Sequence, residues 1–337
     1  NLLTPHLLHR MIGSEEVYRA TMSYLDWRVY GFFFSFIAVM FRAFYVSTTN
    51  TKILTANSVV MVLTNVVLNY ILIFGKFGFP ALGIAGAAIA SSISEAVSVL
   101  FFVIYTWKKI DYKKYGLFRF TRVDFRMLGQ ILSVSIWVMI QHGIAFGGWF
   151  IFFIAMEHLG ERPLAITNVV RSISSFLFMF VNAFASTNSS LVSNLIGAGE
   201  SDRVLPLCRR MIGLCYAFVL PIGILIAMFP STVLRIYTDN PDLIASSISS
   251  LWVMLSSYLF AVPGFIYFFS VSGTGNTRRA LEIDMASIFV YVLYILYVAV
   301  WLRADVAVCW TTEYVYNIMI LSSFFYLWKG NWRNKKI

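Results

Sequence analysis

The stretch SVSGTGNTRR, Ser270 to Arg279, can belong to two different kinds of protein. As a phosphate-cradling loop it would lie between a strand and a helix and read Gly-x-x-x-x-Gly-Lys-Ser/Thr. As a tight turn it would join two helices, with Asn276 or Thr277 capping the second. Gly273-Thr-Gly-Asn-Thr-Arg278 lacks the phosphate-loop spacing, and long apolar runs flank it on both sides, so the turn is the better reading. A second stretch far upstream, YVSTTNTK (Tyr45 to Lys52), ends an apolar run in the same way. A motif that recurs in this setting is first of all a repeat.

Composition fixes the solvent. Of the 337 residues 59% are hydrophobic and only 12% charged, with a mean hydropathy of +0.76, outside the range of soluble domains. Crossing the hydrocarbon as helix takes roughly 20 apolar residues. Nine segments qualify, at 17–47, 52–75, 82–107, 126–157, 164–197, 204–229, 241–272, 278–302 and 305–329. They are too long and unbroken for the short alternating strands of a membrane barrel. The expected fold is all-α, a polytopic membrane helix bundle of nine spans.

Lys and Arg give the orientation, because basic short loops stay cytoplasmic. With residues 1–16 outside, seventeen of the 26 basic residues fall inside, six fall outside, and Arg28, Arg42 and Arg171 lie within spans. The C-terminus is therefore expected in the cytoplasm and the protein in a cell (inner) membrane. This bias also absorbs the net charge of +10, so basicity points to anionic lipid headgroups and not to nucleic acid. Cys208, Cys215 and Cys309 are too few and scattered for a metal site or disulfide framework.

The basic connection KKIDYKKYGLFRFTRVD (Lys108 to Asp124) is longer than loops inside compact bundles usually are and separates three spans from six. It sets the expected boundary between a lobe at 1–122 and one at 123–337. The spans opening at Tyr24 and Tyr258 both begin Tyr-Leu and end in the paired polar loops. GAAIASSISEA (Gly86 to Ala96) then aligns with ADVAVCWTTEY (Ala304 to Tyr314), placing Glu95 on Glu313. Spans 1 to 3 thus correspond in order and direction to spans 7 to 9. Parallel halves of this kind recur among secondary transporters.

NVVLNYILIFGKFGFPALGIAGAAIASSISEA (Asn65 to Ala96), the loops TTNTK and SGTGNTR, and LVSNLIGAGESDRV (Leu191 to Val204) together resemble the multidrug and toxic compound extrusion (MATE) family. The resemblance covers the whole chain and corresponds to the fourth through twelfth helices of a twelve-helix fold. It implies that three helices preceding Asn1 are absent, which agrees with the lack of an initiator Met. It also implies an antiporter that expels organic cations or amphipathic compounds against protons or sodium ions through a cavity between two lobes. A coupling aspartate in the family's first helix has no counterpart here. Where some members carry a glutamate in the seventh helix this chain offers Gln141 and His142, and the aspartate of the tenth helix falls near Ala261. The coupling ion stays open between proton and sodium, and no cofactor or metal is expected.

Ionisable residues inside spans are costly and functional by default. Glu95 leads: it lies eleven residues into its span from Ile84, ~16 Å along the axis, and shares a face with Ser91, Ser92 and Ser98. It reads either as a protonatable site open to water or as a hydrogen-bonded packing residue. Glu313, with Trp310, Tyr316 and Asn317 at helical spacing, suits an organic cation held by charge and ring together; the alternative is an interfacial acid paired with Arg303. Arg171 sits in a polar stripe with Asn168, Ser175, Asn182, Ser186 and Ser193, a face that lipid does not tolerate. It acts as counter-ion to a carboxylate or snorkels to the interface. Asn65 and Asn69, with Asn57, form a polar seam suited first to interhelical bonding and second to substrate. Gln141 and His142 are adjacent and cannot both face one way. Glu282 and Asp284 read as helix-start acids, Asp26 and Arg28 as interfacial. Pro221 and Pro263 kink their spans as hinges or as shape alone, and Trp149, Trp252, Trp301 and Trp310 belong to the interfacial belt.

The expectation is a MATE-like exporter of a small amphipathic or cationic substrate, working as a monomer in the bilayer. A lipid-linked oligosaccharide flippase of the same superfamily would need basic residues for pyrophosphate, and only Arg171 and Arg42 could serve. A membrane enzyme is disfavoured by the absence of a metal-ligand pair, nucleophile elbow or one-helix carboxylate dyad. A fragment that transports nothing is the remaining alternative.

Overall fold

The computed structural model describes residues 15–111, 114–117, 124–330 and 332, and every regular element among them is helical. Arg10, Lys113, Arg119, Arg122, Arg333, Lys335 and Lys336, which enter the charge bias, lie outside the described residues. The chain forms two compact units, 1–122 and 123–337.

The first unit contains α1 (Glu15–Ser47), α2 (Lys52–Phe74) and α3 (Gly83–Lys109). Helix α3 lies between the other two. Its close approach to α2 depends on Gly86, where a Cβ would stand 2.6 Å from the Leu72 carbonyl oxygen. That same oxygen accepts from the Leu82 amide at 2.9 Å as α3 begins. Glycine is what lets two backbones meet so closely between membrane helices. Near the other end Tyr45 and Phe102 stack at 5.7 Å, and the Tyr45 and Thr106 hydroxyls bond at 2.6 Å.

The second unit runs through α4 (Phe125–Leu159), α5 (Glu161–Gly197), α6 (Val204–Met228), the single turn α7 (Pro230–Leu234), α8 (Pro241–Gly273) and α9 (Thr277–Ile295). Asp124 accepts from the Arg126 and Met127 amides and Asn240 from Asp242 and Leu243, so two of these helices start at side-chain caps. Asn276 caps α9 through the Arg279 amide at 3.3 Å, as its place in the SGTGNTR turn led us to expect. Helix α8 is at the centre. Gly273 lets it pack on α5, a Cβ there lying 2.5 Å from the Ser189 carbonyl oxygen. Pro221 and Pro263 both lie inside helices.

Among the described residues eight helices are long and apolar enough to cross a membrane, not nine. The segment 305–329 is divided into α10 (Val306–Trp310), α11 (Thr312–Ile320) and α12 (Ser323–Lys329). The backbone stays right-handed at Thr311 and Leu321. At the first break Thr311 and Thr312 donate to the Val308 and Cys309 carbonyls at 2.5 and 2.6 Å, competing with the backbone ladder, and the chain tightens to i→i−3 bonds there. Helix α9 ends by loosening into a π-turn, Leu296–Trp301, closed by Leu302 donating to Tyr297. As α3 does in the first unit, α11 lies between the other two helices of its set, α8 and α9.

Candidate functional site

A cavity of about 450 Å³ opens within the second unit. Its walls are aromatic: Trp149 and Phe153 from α4, Phe178 from α5, Tyr258 and Phe265 from α8. Two glycines make the enclosing contacts possible. Gly148 faces Ile288 and Gly264 faces the Asn317 carbonyl, each with room for no more than a Cβ at 3.1–3.2 Å.

Among the described residues two charged side chains line this cavity, Glu313 and Arg171. Tyr291 lies beside the Glu313 carboxylate, and its hydroxyl is otherwise without a partner. Arg303, the partner considered for Glu313, makes no ion pair among the described residues, and the acid faces the cavity instead. Arg171 has no carboxylate partner either; its guanidinium lies 4.5 Å from the centre of the Phe153 ring. The Tyr258 hydroxyl in the cavity wall donates to the Ser174 carbonyl at 2.7 Å. Asn317 is buried with a carbonyl oxygen that finds no donor.

Below the cavity wall lies an acid whose position the sequence reading misplaced. Asp284 is no helix-start residue: it is 2% exposed, accepts from the Tyr316 hydroxyl at 3.0 Å and has the Gln141 side chain beside it. Glu282 is the acid at the helix start, paired with Arg279 at 2.6 Å. The distinguishing signal was present in the sequence. Thr277, Ala280, Leu281, Asp284, Ser287, Ile288 and Tyr291 recur at three and four on one face of α9, all buried, and Glu282 is off that face.

Gln141 is thus buried against Asp284, while His142, its neighbour, is exposed. Asn182 lies on the exposed face of α5 and outside the cavity lining. Trp310 leaves the interfacial belt: it is fully buried, 5.5 Å from the Phe152 ring.

Glu95, Asn65 and Asn69 belong to the first unit. Glu95 does not stand free; Arg28, read as interfacial, donates to it at 2.7 Å. The serines on its face are bonded to neighbouring helices rather than open to water. Ser92 donates to the Trp27 carbonyl, Asn57 donates to Ser98, and Asn65 reaches Ser91 and Ser94. Asn69 donates to Asn65 at 2.9 Å.

The family model MatE matches residues 2–71 and 138–298, well over half of the chain. The chain belongs to the MatE family. MatE proteins are transporters, not enzymes, and this MatE chain is a multi-pass membrane protein. A probable multidrug resistance protein NorM of Thermotoga maritima is 28% identical over 239 residues, covering 70% of this chain and 50% of the relative. The probable multidrug resistance protein YoeA of Bacillus subtilis is 26% identical over 262 residues, 77% of this chain and 56% of that one. The chain therefore spans about half the length of the curated relatives it matches. A crystal structure of MATE in complex with MaL6 superposes with a TM-score of 0.85 at 17% identity, covering 97% of this chain and 73% of that one. The MatE fold of this chain follows from that likeness.

Proposed function

We propose that this MatE chain forms part of a secondary antiporter that exports organic cations or amphipathic drugs across a cell (inner) membrane in exchange for protons or sodium ions. In this reading the C-terminus is cytoplasmic, as the bias of Lys and Arg suggests, and the protein works as a monomer. The observation that carries it is Glu313, a carboxylate opening on an aromatic-walled cavity of about 450 Å³. That volume lies within the range of small-molecule sites. A ring quadrupole beside a carboxylate favours a desolvated organic cation over a neutral analogue. The multidrug resistance named for the NorM and YoeA relatives supports the same substrate class. An anionic pyrophosphate headgroup is poorly served, since the single cation lining the cavity among the described residues, Arg171, is offset by Glu313.

The test uses the full-length parent in everted vesicles, with tetraphenylphosphonium or ethidium as probe and a proton or a sodium gradient imposed separately. Glu313→Gln is expected to weaken cation binding roughly 10- to 100-fold, equivalent to about 1.4–2.8 kcal/mol, while keeping the fold. Efflux and binding equal to the parent's would refute the assignment of Glu313. Whichever gradient alone sustains efflux identifies the coupling ion.

A further inference from the structure

Asp284 has no evident structural reason to be an acid. It sits on the buried face of a membrane helix, 2% exposed, where an ionisable group is costly unless it is used. No cation balances it among the described residues: Arg278 and Arg279 both pair with Glu282. What faces it are neutral donors, Tyr316 from α11 and Gln141 from α4, and α8 brings no charged group to it. Gln141 keeps a buried side-chain carbonyl oxygen with no donor. An unsatisfied acceptor beside a carboxylate is a poor packing solution and a good setting for an added proton.

The second observation is connectivity. Tyr316, which donates to Asp284, also lines the cavity. Its ring is 5.9 Å from that of Tyr291, whose hydroxyl lies beside Glu313. The groups facing Glu313 are Tyr291 from α9, Tyr258 from α8, Tyr316 from its own helix and, across the cavity, Arg171 from α5. Asp284 lies seven residues from the start of α9, ~10 Å along it, and Glu313 seven residues past Val306, where α10 begins, in the first turn of α11. Those two starts are at opposite ends of the α9 span, one beside Arg278 and Arg279, the other beside Arg303. The two acids thus approach the cavity from opposite sides.

We propose that Asp284 is a second proton-binding carboxylate of this unit, connected to the Glu313 cavity through the Tyr316 hydroxyl. The route rests on the reading of the cavity as a cation-transport site; the protonation of Asp284 does not. In the net step one proton leaves the Glu313 carboxyl and one is gained by the Asp284 carboxylate. The Tyr316 O–H breaks as the Asp284 O–H forms, and the phenolic oxygen takes up the proton that Glu313 releases through cavity water. Tyr316 ends the step unchanged. A cation seated on ionised Glu313 would hold the proton on the Asp284 side, which links cation binding to proton position.

Two measurements on the full-length parent test this separately. The carboxyl C=O infrared band of the purified protein is followed against pH with no substrate present. Asp284→Asn is expected to remove one pH-dependent component, Asp284→Glu to restore a shifted one, and the exposed-acid control Glu282→Gln to leave it in place. In proteoliposomes, Asp284→Asn is expected to bind tetraphenylphosphonium within about twofold of the parent while its efflux loses pH dependence, and Tyr316→Phe to slow efflux severalfold. An unchanged carboxyl band together with the parent's pH profile in Asp284→Asn overturns the proposal. Efflux in the parent that follows sodium and ignores pH overturns the route between Glu313 and Asp284. A parent that moves no cation but shows the Asp284 band defeats the transport reading and leaves the proton site standing.

Discussion

Arg28 and Glu95 offer the sharpest test of how the first unit is held together. Their side chains meet at 2.7 Å and remain only 21% and 14% exposed. Gly31 makes the space: a Cβ there would stand 2.6 Å from Glu95 Oε2 and 2.7 Å from Arg28 Nη1. Two unit charges about 4 Å apart attract by about 4 kcal/mol at an effective dielectric near 20, and each has given up most of its hydration to be there. The gain and the penalty nearly cancel, so replacing both residues with apolar ones of similar volume should be close to neutral. Removing one alone should not be, because an unpaired buried charge costs about 3–5 kcal/mol. Residual exposure places Arg28→Leu near the lower end of that range. Glu95→Gln should cost less, about 1–2 kcal/mol, because the long Arg28 side chain can swing its head toward the interface and already lies 5.5 Å from the Phe32 ring centre.

The assay is a double-mutant cycle on the full-length protein, unfolded reversibly in mixed micelles and followed by tryptophan fluorescence. The expected coupling between Arg28→Leu and Glu95→Leu is on the order of 4–5 kcal/mol, the sum of the two single effects, with the double variant close to the parent. Single effects that add to within about 0.5 kcal/mol would mean that the two residues do not depend on each other. The contact would then be an accident of proximity, and Glu95 would return to the free acid that its serine-rich face suggested.

Two further outcomes follow from packing and charge. Gly86→Ala and Gly273→Ala each drive a methyl against a neighbouring carbonyl oxygen, at 2.6 and 2.5 Å, and should cost about 1–3 kcal/mol in the same unfolding assay, whereas Gly213→Ala, with nothing within 4 Å on an exposed helix face, should stabilise by up to about 1 kcal/mol. Arg171→Gln removes the one positive side chain lining the cavity among the described residues; at a separation on the order of 10 Å and a dielectric near 20 this relieves about 1.7 kcal/mol of repulsion, so tetraphenylphosphonium should bind roughly 10- to 20-fold more tightly, as read by equilibrium dialysis, and an anionic analogue more weakly.

How far the sequence reached depended on the range of the interaction. Helix limits were local matters. The apolar run ending at Phe74 stops at Gly75, which takes the left-handed conformation at φ 64°, and the run beginning at Phe125 starts where Asp124 can cap it. The break in the last span was local too and was overlooked: Thr311 and Thr312 lie side by side in mid-segment, and two adjacent hydroxyls can pull two carbonyls out of the ladder. The spacing of α9 likewise contained the evidence that Asp284 is buried and Glu282 is not. The Arg28–Glu95 contact is different, because its partners are 67 residues apart and nothing in either helix alone selects the other. Composition could mark both as costly inside a span. It could not say that they satisfy one another.

That pairing bears on why two aligned acids have such different surroundings. Glu95 and Glu313 occupy matching places in the sequence repeat, and each lies on a helix that packs between two others of its own unit. In the first unit the neighbouring helix supplies an arginine, the charge is answered internally, and the surrounding serines and asparagines are consumed by interhelical bonds. In the second unit the corresponding neighbours are tyrosines and the helix carrying the acid is itself broken, so a cavity remains where the cation would otherwise be. A carboxylate with a tethered cation is already occupied, and a mobile cation must displace Arg28 to bind it, which adds the cost of an unpaired guanidinium to every binding event. A carboxylate facing neutral hydroxyls carries no such competitor and can exchange one positive ligand for another at little cost. On the transport reading, exchange of cations at Glu313 is therefore the process that Glu95, while Arg28 is in place, is built not to perform, and an Arg28→Leu protein whose efflux acquires a second pH-dependent step abolished by Glu95→Gln would show that one side chain separates the two roles.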